Sequence, residues 1–391
     1  MDFQYKCSEC GRSYEISPDI MLCPDCSRQG QTGKPLRGIL EVNLSGKISD
    51  KFNVYNYLPV DSRYFPRLPI GNTPLWQPVH LNQDPEFPNF FIKDDTCNPS
   101  GSLKDRASLL VAGFARQKGI KEIVVASTGN AASSMAAVGA AAGLEVTIFI
   151  PESAPRAKLI QSLQYGARVI LCAGNYDAAY DLSLEFSEQS SQVLSRNTGY
   201  NPLTMEGKKT VALEIYQALH KAPDFVFIPV GDGVILGGVY KGFRDLHKVG
   251  LINDIPTVVA VQAEGSNAVC RAWRNGDFTK VSSRTIADSI AVDVPRNGYY
   301  ALRQLQRYNG RCITISDNEI LSAQKLLSSQ AGLFTEPAAA AACAGFLKMK
   351  HTIDTQATIV LLATGNGLKD IDAAAKILDF PRRTITTLDD I

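Results

Sequence analysis

Four cysteines fall within the first 26 residues as two Cys-x-x-Cys pairs, CSEC at 7–10 and CPDC at 23–26, with twelve residues between them. Each pair sets two thiolates on one tight turn, which Gly11 and Pro24 favour, and two such turns can close a tetrahedral sulfur shell around a metal ion. A structural Zn2+ held by Cys7, Cys10, Cys23 and Cys26 is the expected occupant, with an iron–sulfur centre or two disulfides as alternatives. A shell of four thiolates leaves no coordination position for a substrate, so this metal would take no part in catalysis. Cys97, Cys172, Cys270, Cys312 and Cys343 are scattered singly and need no special role.

A second chemical candidate is the lysine in NPSGSLKDRAS, residues 98–108. Pro99 and Gly101 make a turn, and Ser102 with Asp105 three residues on is a near capping box that predicts a helix start. Lys104 then sits in the first helical turn, whose positive end disfavours an ammonium and suits an amine that must be neutral to form a Schiff base. From spacing alone, a solvent-exposed helical lysine is the plainer reading.

Two loops could hold anions. STGNAA at 127–132 opens an Ala-rich stretch, where backbone N–H groups and the hydroxyls of Ser127 and Thr128 can hold a carboxylate. GDGVILGG at 231–238 lets backbone N–H groups approach a phosphate at a helix N-terminus. Asp232 is the odd residue there, and its carboxylate is expected to point away while backbone atoms of 231–235 touch the ligand. His80, His220, His247 and His351 lie in none of these segments, so no Ser-His-Asp set or histidine metal site is expected.

The elements that must position these residues have a βα rhythm. FFIKD (90–94), EIVVAS (122–127), EVTIFI (145–150), ARVILC (167–172), DFVFIPV (224–230), TVVAVQA (257–263), RCITIS (311–316) and ATIVLLA (357–363) read as strands. Helical stretches such as PRAKLIQSLQYG, MEGKKTVALEIYQALH, NEILSAQKLLSSQAG and PAAAAACAGFLKMK lie between them. Near-continuous apolar strands linked by helices imply α/β structure with mostly parallel sheet buried on both faces, and ligands at the strands' carboxyl ends. Residues 1–40 cannot build an ordinary core unaided and read as a zinc-ribbon-like segment. Residues 41–89 read as lead-in packed on the core, and 90–391 as two interleaved lobes, the smaller about 115–200. LDFPRRTITTLDDI at the end reads as a surface tail or docking segment.

With 391 residues, 45% hydrophobic and 20% charged, the chain can bury a sizeable core. Forty Lys and Arg balance 39 Asp and Glu, for a formal charge of +1, which argues against a nucleic-acid partner. MDFQYKCSEC lacks the apolar core of a secretory signal, and no long apolar run exists to span a membrane, so a reducing cytoplasm is the expectation.

Several motifs in order then resemble the fold-type II pyridoxal-phosphate enzymes: GNTPL at 71–75, NPSGSLKDR, STGNAA, GDGVILGG, EPAAAA at 336–341 and ATGNGLKD at 363–370. The likeness covers about residues 70–370. It implies two open twisted sheets in a tryptophan synthase β-like architecture, pyridoxal 5'-phosphate as cofactor and an amino-acid substrate. Homodimers are common in that family, and a homodimer is one expectation. By resemblance Lys104 holds the cofactor and then works as acid and base, Asn130 bonds its 3-hydroxyl oxygen, and Thr364 faces its pyridine nitrogen. Gly231, Asp232, Gly233, Val234 and Ile235 would hold its phosphate.

Within that family the knuckles, the Lys-Asp-Arg triplet and TGNGLKD are closest to the threonine synthases. The implied reaction converts O-phospho-L-homoserine and water to L-threonine and phosphate. The implied substrate residues are Ser127, Thr128, Gly129, Asn130, Ala131, Asn201 and Lys209. The chain departs from the pattern at Thr204, which stands where an Asn-Pro-x-Arg-x-Glu-Gly-x-Lys-Thr segment carries its phosphate-binding arginine, with Lys208 or Lys209 as the nearest cation to compensate. Val234 and Ile235 depart as well, toward a dehydratase-like loop. A threonine or serine dehydratase, or a cysteate-synthase-like enzyme using O-phosphoserine, is therefore the alternative.

Overall fold

A computed structural model describes residues 1–46, 52–81, 86–379, 384 and 386; most of the expected tail, 378–391, lies outside them. The strands are β1 (Asp2–Cys7), β2 (Ser13–Tyr14), β3 (Leu40–Ser45), β4 (Leu75–Trp76), β5 (Phe90–Asp94), β6 (Glu122–Ala126), β7 (Glu145–Pro151), β8 (Arg168–Cys172), β9 (Val193–Ser195), β10 (Phe225–Pro229), β11 (Thr257–Ala263), β12 (Arg311–Ile315) and β13 (Ile359–Ala363). All eight apolar runs read as strands are strands: β5, β6, β7, β10, β11 and β13 are buried along most of their length, whereas β8 and β12 lie at sheet edges and stay partly exposed.

The larger sheet has the order β12-β11-β10-β13-β5-β4, parallel except for the short edge pairing of β4 with β5. The smaller is β8-β7-β6-β9, parallel throughout. At the N-terminus, β2-β1-β3 is antiparallel and runs on to Ser45, so residues 40–45 close the ribbon sheet.

Three helices meet at the centre. The lysine helix (Lys104–Lys118), helix Leu203–Lys208 and helix Val234–Lys248 approach so closely that only glycine fits between them. A Cβ on Gly207 would stand 2.4 Å from the Arg106 carbonyl oxygen, and one on Gly238 would stand 2.8 Å from Lys208 Cβ. Helix Leu203–Lys208 is thus wedged between the other two. The expected helix through MEGKKTVALEIYQALH is divided at Lys209, with Thr210–Leu219 following.

A buried ionic network fixes the lysine helix to the GNTPL segment. Arg106 Nε and Nη2 donate to Asp95 at 2.6 and 2.8 Å, while Nη1 and Nη2 donate to Glu214 at 2.6 and 2.8 Å. Lys93 Nζ donates to Glu214 and to the Thr73 carbonyl, both at 2.6 Å, and the Asn72 N–H donates to Glu214 at 2.8 Å. Each buried charge has an opposite partner, the arrangement that offsets desolvation.

Candidate active site

Two turns at strand ends and one helix start are sewn together around Lys104. Leu103 N–H donates to the Thr364 carbonyl at 2.9 Å, Asn366 N–H to that of Gly101 at 2.9 Å, and Glu336 N–H to that of Gly365 at 3.0 Å. The lysine turn, the turn after β13 and the start of helix Pro337–Met349 therefore move as one unit. Ser102 Oγ accepts the Lys104 N–H at 3.3 Å, whereas Asp105 reaches Ser100, accepting from its N–H at 2.7 Å and its hydroxyl at 2.5 Å. The capping box read from the sequence is replaced by this longer hook.

Burial pushes the Lys104 amine below the ordinary lysine range; Asp232 and Glu336 oppose the shift and Arg196 reinforces it. Burial also raises the Glu336 carboxyl, against the pull of Asn130 and Lys104. Asn130 Nδ2 donates to both Glu336 oxygens, at 3.0 and 2.9 Å, and lies 3.3 Å from Ser289 Oγ. Sequence reasoning took Glu336 only as part of a helix start; its place in the pocket was carried by no periodicity or motif role.

Ser127, Thr128, Gly129 and Ala131 are half-buried at the end of β6 and open the helix Asn130–Ala142, with Ser127 Oγ accepting the Gly129 N–H at 3.2 Å. Lys369, from the ATGNGLKD segment, reaches across to this side, donating to Ser133 Oγ at 3.1 Å and Gln161 Oε1 at 2.5 Å. It joins the C-terminal motif to the helices of the smaller sheet.

GDGVI follows β10 as expected. Gly233 adopts φ +85°, a conformation that side chains resist, and so turns the chain into helix Val234–Lys248. The first amides of that 15-residue helix have no intrahelical acceptors and can receive a phosphate. Asp232 Oδ1 accepts one of them, from Val234, at 2.9 Å. Its charge opposes the lowering of Lys104, Arg196 and Lys208 by burial.

Two of the substrate residues read from the sequence are used elsewhere. Lys209 Nζ is buried in an ion cluster, donating to Asp245 at 2.8 Å and pairing with Glu206. Asn201 donates to the Ser195 carbonyl at 2.7 Å and accepts the Leu203 N–H at 2.9 Å, which shapes the entry to helix Leu203–Lys208. The adjacent Lys208 is also fully buried, yet its Nζ has no hydrogen-bond partner, and the same holds for Arg196 Nη2. Burial pushes the Lys208 amine well down and the Arg196 guanidinium to about 10. Arg196 was missed entirely, since SRNTGY reads as an ordinary loop.

The four knuckle cysteines converge, with all Sγ atoms within 4.8 Å of one another and Cys10 and Cys23 at 3.8 Å. A tetrahedral zinc shell with Zn–S bonds of about 2.3 Å requires S···S edges of about 3.8 Å, so the set fits that ion. Tyr14 Oη lies 3.1 Å from Cys23 Sγ, and Glu9 N–H lies 3.4 Å from Cys7 Sγ. The pocket fits pyridoxal phosphate on its own terms: a half-buried amine of lowered basicity, a glycine turn feeding a helix N-terminus, and an amide and a hydroxyl residue at strand ends.

Residues 66–365 match the family described as pyridoxal-phosphate dependent enzyme. The chain is 32% identical to a threonine synthase of Methanocaldococcus jannaschii over 96% of its own length and 95% of the relative's. It is 30% identical to that of Methanosarcina acetivorans over 100% and 98%, and 36% identical to that of Halalkalibacterium halodurans over 79% and 86%. Among solved structures, a processed threonine deaminase isoform from Solanum lycopersicum superposes with a TM-score of 0.68 at 23% identity, covering 85% of this chain and 94% of that one. Maize serine racemase gives 0.67 at 20% identity, covering 76% and 88%; these two likenesses speak to the fold, which is that of fold type II. No helix among the described residues is long and apolar enough to cross a membrane. The match across most of the chain and the relatives that span its full length establish that this chain belongs to the family of pyridoxal-phosphate dependent enzymes, alongside the threonine synthases.

Proposed function

We propose that this chain is a lyase that converts O-phospho-L-homoserine and water to L-threonine and phosphate, with Lys104 as cofactor anchor and proton shuttle. The observation that carries the reading is the seat of Lys104: a half-buried amine of lowered basicity, where the lysine turn, the turn after β13 and the start of helix Pro337–Met349 are joined, in a chain whose relatives over nearly its full length are named threonine synthases. Bound pyridoxal phosphate supplies an electron sink for the substrate carbons.

The chain's own residues do the rest. Backbone amides of 231–235 at the head of helix Val234–Lys248 receive the cofactor phosphate, Asn130 its ring oxygen and Thr364 its ring nitrogen. A neutral hydroxyl at that nitrogen weakens the sink, which suits elimination and addition better than transamination. Ser127, Thr128 and the amides of 129–131 hold the substrate carboxylate. Lys104, its amine released when substrate takes its place, removes protons from Cα and then Cβ. Phosphate departs from Cγ, protons return to Cγ and Cα, and water adds at Cβ. We also read Cys7, Cys10, Cys23 and Cys26 as ligands of a structural zinc ion, and a reducing cytoplasm as the compartment that keeps them available.

The test is a comparison of substrates on purified holoenzyme. Release of phosphate with formation of threonine from O-phosphohomoserine, abolished in Lys104→Ala together with the visible absorbance of the covalently held cofactor, is the expected result. Efficient production of 2-oxobutanoate from threonine, with phosphohomoserine inert, would overturn the reading in favour of a dehydratase.

A further inference from the structure

We infer that Arg196 and Lys208 form a second anion pocket beside Lys104, which binds the phosphate ester of the amino-acid substrate in place of the arginine that Thr204 replaces. The inference rests on the proposed function for the identity of that ester. Its geometry stands independently.

Arg196 follows β9, where its N–H donates to the Val124 carbonyl at 2.8 Å, so it leaves the carboxyl end of the smaller sheet. Its guanidinium spans Thr198 Oγ1, at 2.5 Å from Nη1, and Ser108 Oγ, at 3.4 Å from Nε. Ser108 is four residues beyond Lys104 on the lysine helix, hence on the same face one turn along. This places the guanidinium next to the Lys104 side of that helix. Lys208 lies on the short helix wedged between the lysine helix and the helix that begins at the GDGVI loop, within electrostatic reach of Lys104 and Arg196.

Both side chains are completely buried, and each keeps a donor without a partner, Arg196 Nη2 and Lys208 Nζ. Buried donors left without a partner among the described residues are costly and rare, and these two feel the same Asp232 carboxylate. Asp232 acts on both groups and Asp105 on Arg196, yet neither carboxylate hydrogen-bonds the two open donors, which an arriving anion can fill while its charge favours the protonated Lys208 amine. The cofactor phosphate already has the amides of helix Val234–Lys248. A phosphomonoester carried by the substrate offers the acceptor oxygens that these two donors lack, and charge-assisted donors are the means of holding it. Thr204 cannot substitute: its hydroxyl donates to the Asn201 carbonyl at 2.7 Å.

The experiment uses holoenzyme, in which the cofactor fills its own phosphate site, titrated with inorganic phosphate by calorimetry and by thermal shift. Wild type is expected to bind phosphate saturably, and Arg196→Gln and Lys208→Gln each to weaken that binding about 10- to 100-fold, the effect of losing one charge-assisted contact. The KM for O-phosphohomoserine should rise in parallel while cofactor affinity holds. Asp232→Asn, which removes the competing carboxylate, should bind phosphate more tightly. Absence of saturable phosphate binding to wild-type holoenzyme would overturn the pocket even if either variant fails to fold. Loss of cofactor with an unchanged KM would also overturn it, because the cations would then serve the cofactor. A wild-type protein that binds phosphate but leaves phosphohomoserine unchanged would sink the proposed function and leave the anion pocket standing.

Discussion

Arg106 and Glu214 face one another as a bidentate pair, Nη1 to Oε1 at 2.6 Å and Nη2 to Oε2 at 2.8 Å, although 108 residues separate them. Through this pair the helix bearing Lys104 and the helix Thr210–Leu219 hold the GNTPL segment between them. Glu214→Ala leaves Arg106 and Lys93 buried without that carboxylate and is expected to cost about 3–5 kcal/mol, read by denaturant unfolding. A cost under 1 kcal/mol would show that the network does not fix the site.

The same carboxyl sets an acid limit. Burial pushes Glu214 up, but Arg106 and Lys93 pull it down further, to about 2 from an ordinary 4.5. A folded-state value below the unfolded one means that its stabilisation is complete above pH 4.5 and is lost as pH falls toward 2. Stability measured across that interval should fall more steeply in wild type than in Glu214→Gln, where the titrating group is gone.

Cofactor loading should report the charge around Lys104. Its amine is depressed by burial and partly restored by Asp232, the larger of the two carboxylate influences. Asp232→Asn removes that restoring charge, so the pH midpoint for reconstitution of apoprotein with pyridoxal phosphate is expected to move to lower pH. A midpoint unchanged or raised would exclude Asp232 as a neighbour that tunes the amine.

Close helix contact gives a steric prediction. Gly207→Ala would drive a methyl to within 2.4 Å of a backbone oxygen of the lysine helix, which cannot yield as a side chain could. We expect a loss of about 1–3 kcal/mol or more and a weaker hold on the cofactor, since the displaced residues adjoin Lys104. Thermal unfolding with and without cofactor measures both.

Removal of metal should be felt beyond the knuckles. Tyr5, Leu40 and Val42 share a core with Leu203 and with Leu109 and Leu110 of the lysine helix. Chelation, or Cys23→Ser, is therefore expected to abolish stoichiometric zinc and lower the Tm of the whole chain by about 5 °C or more. A transition confined to the first forty residues would contradict this coupling.

What could be read before folding follows physical range. β5 to β7, β10, β11 and β13 were legible because a strand buried on both faces writes its environment into consecutive residues, and the edge strands β8 and β12 because they carry the same short apolar runs. The ribbon sheet, β4 and β9 were not, since they are short or depend on partners far along the chain. The lysine, glycine and cysteine motifs carry their chemistry locally. Lys208 and Lys209 were not separable by adjacency, because a helix turns about 100° per residue and sends neighbours to different surroundings. One ends in the pocket and the other on Asp245. Arg196 and Glu336 acquire their roles only when two sheets meet, a condition no single segment encodes.

The docking of the ribbon also governs how the chain can be divided. Glu41 on β3 pairs with Arg244 at 2.7 Å and accepts from the Tyr300 hydroxyl at 2.7 Å, while Lys248 donates to the Leu44 carbonyl at 2.6 Å. There is no seam at residue 46 along which a minimal catalytic fragment could be cut. A truncation there takes the carboxylate partner from half-buried Arg244 and strips the apolar floor from beneath the helix that ends in Lys208, so the ribbon is an integral wall of the enzyme and not a detachable tag.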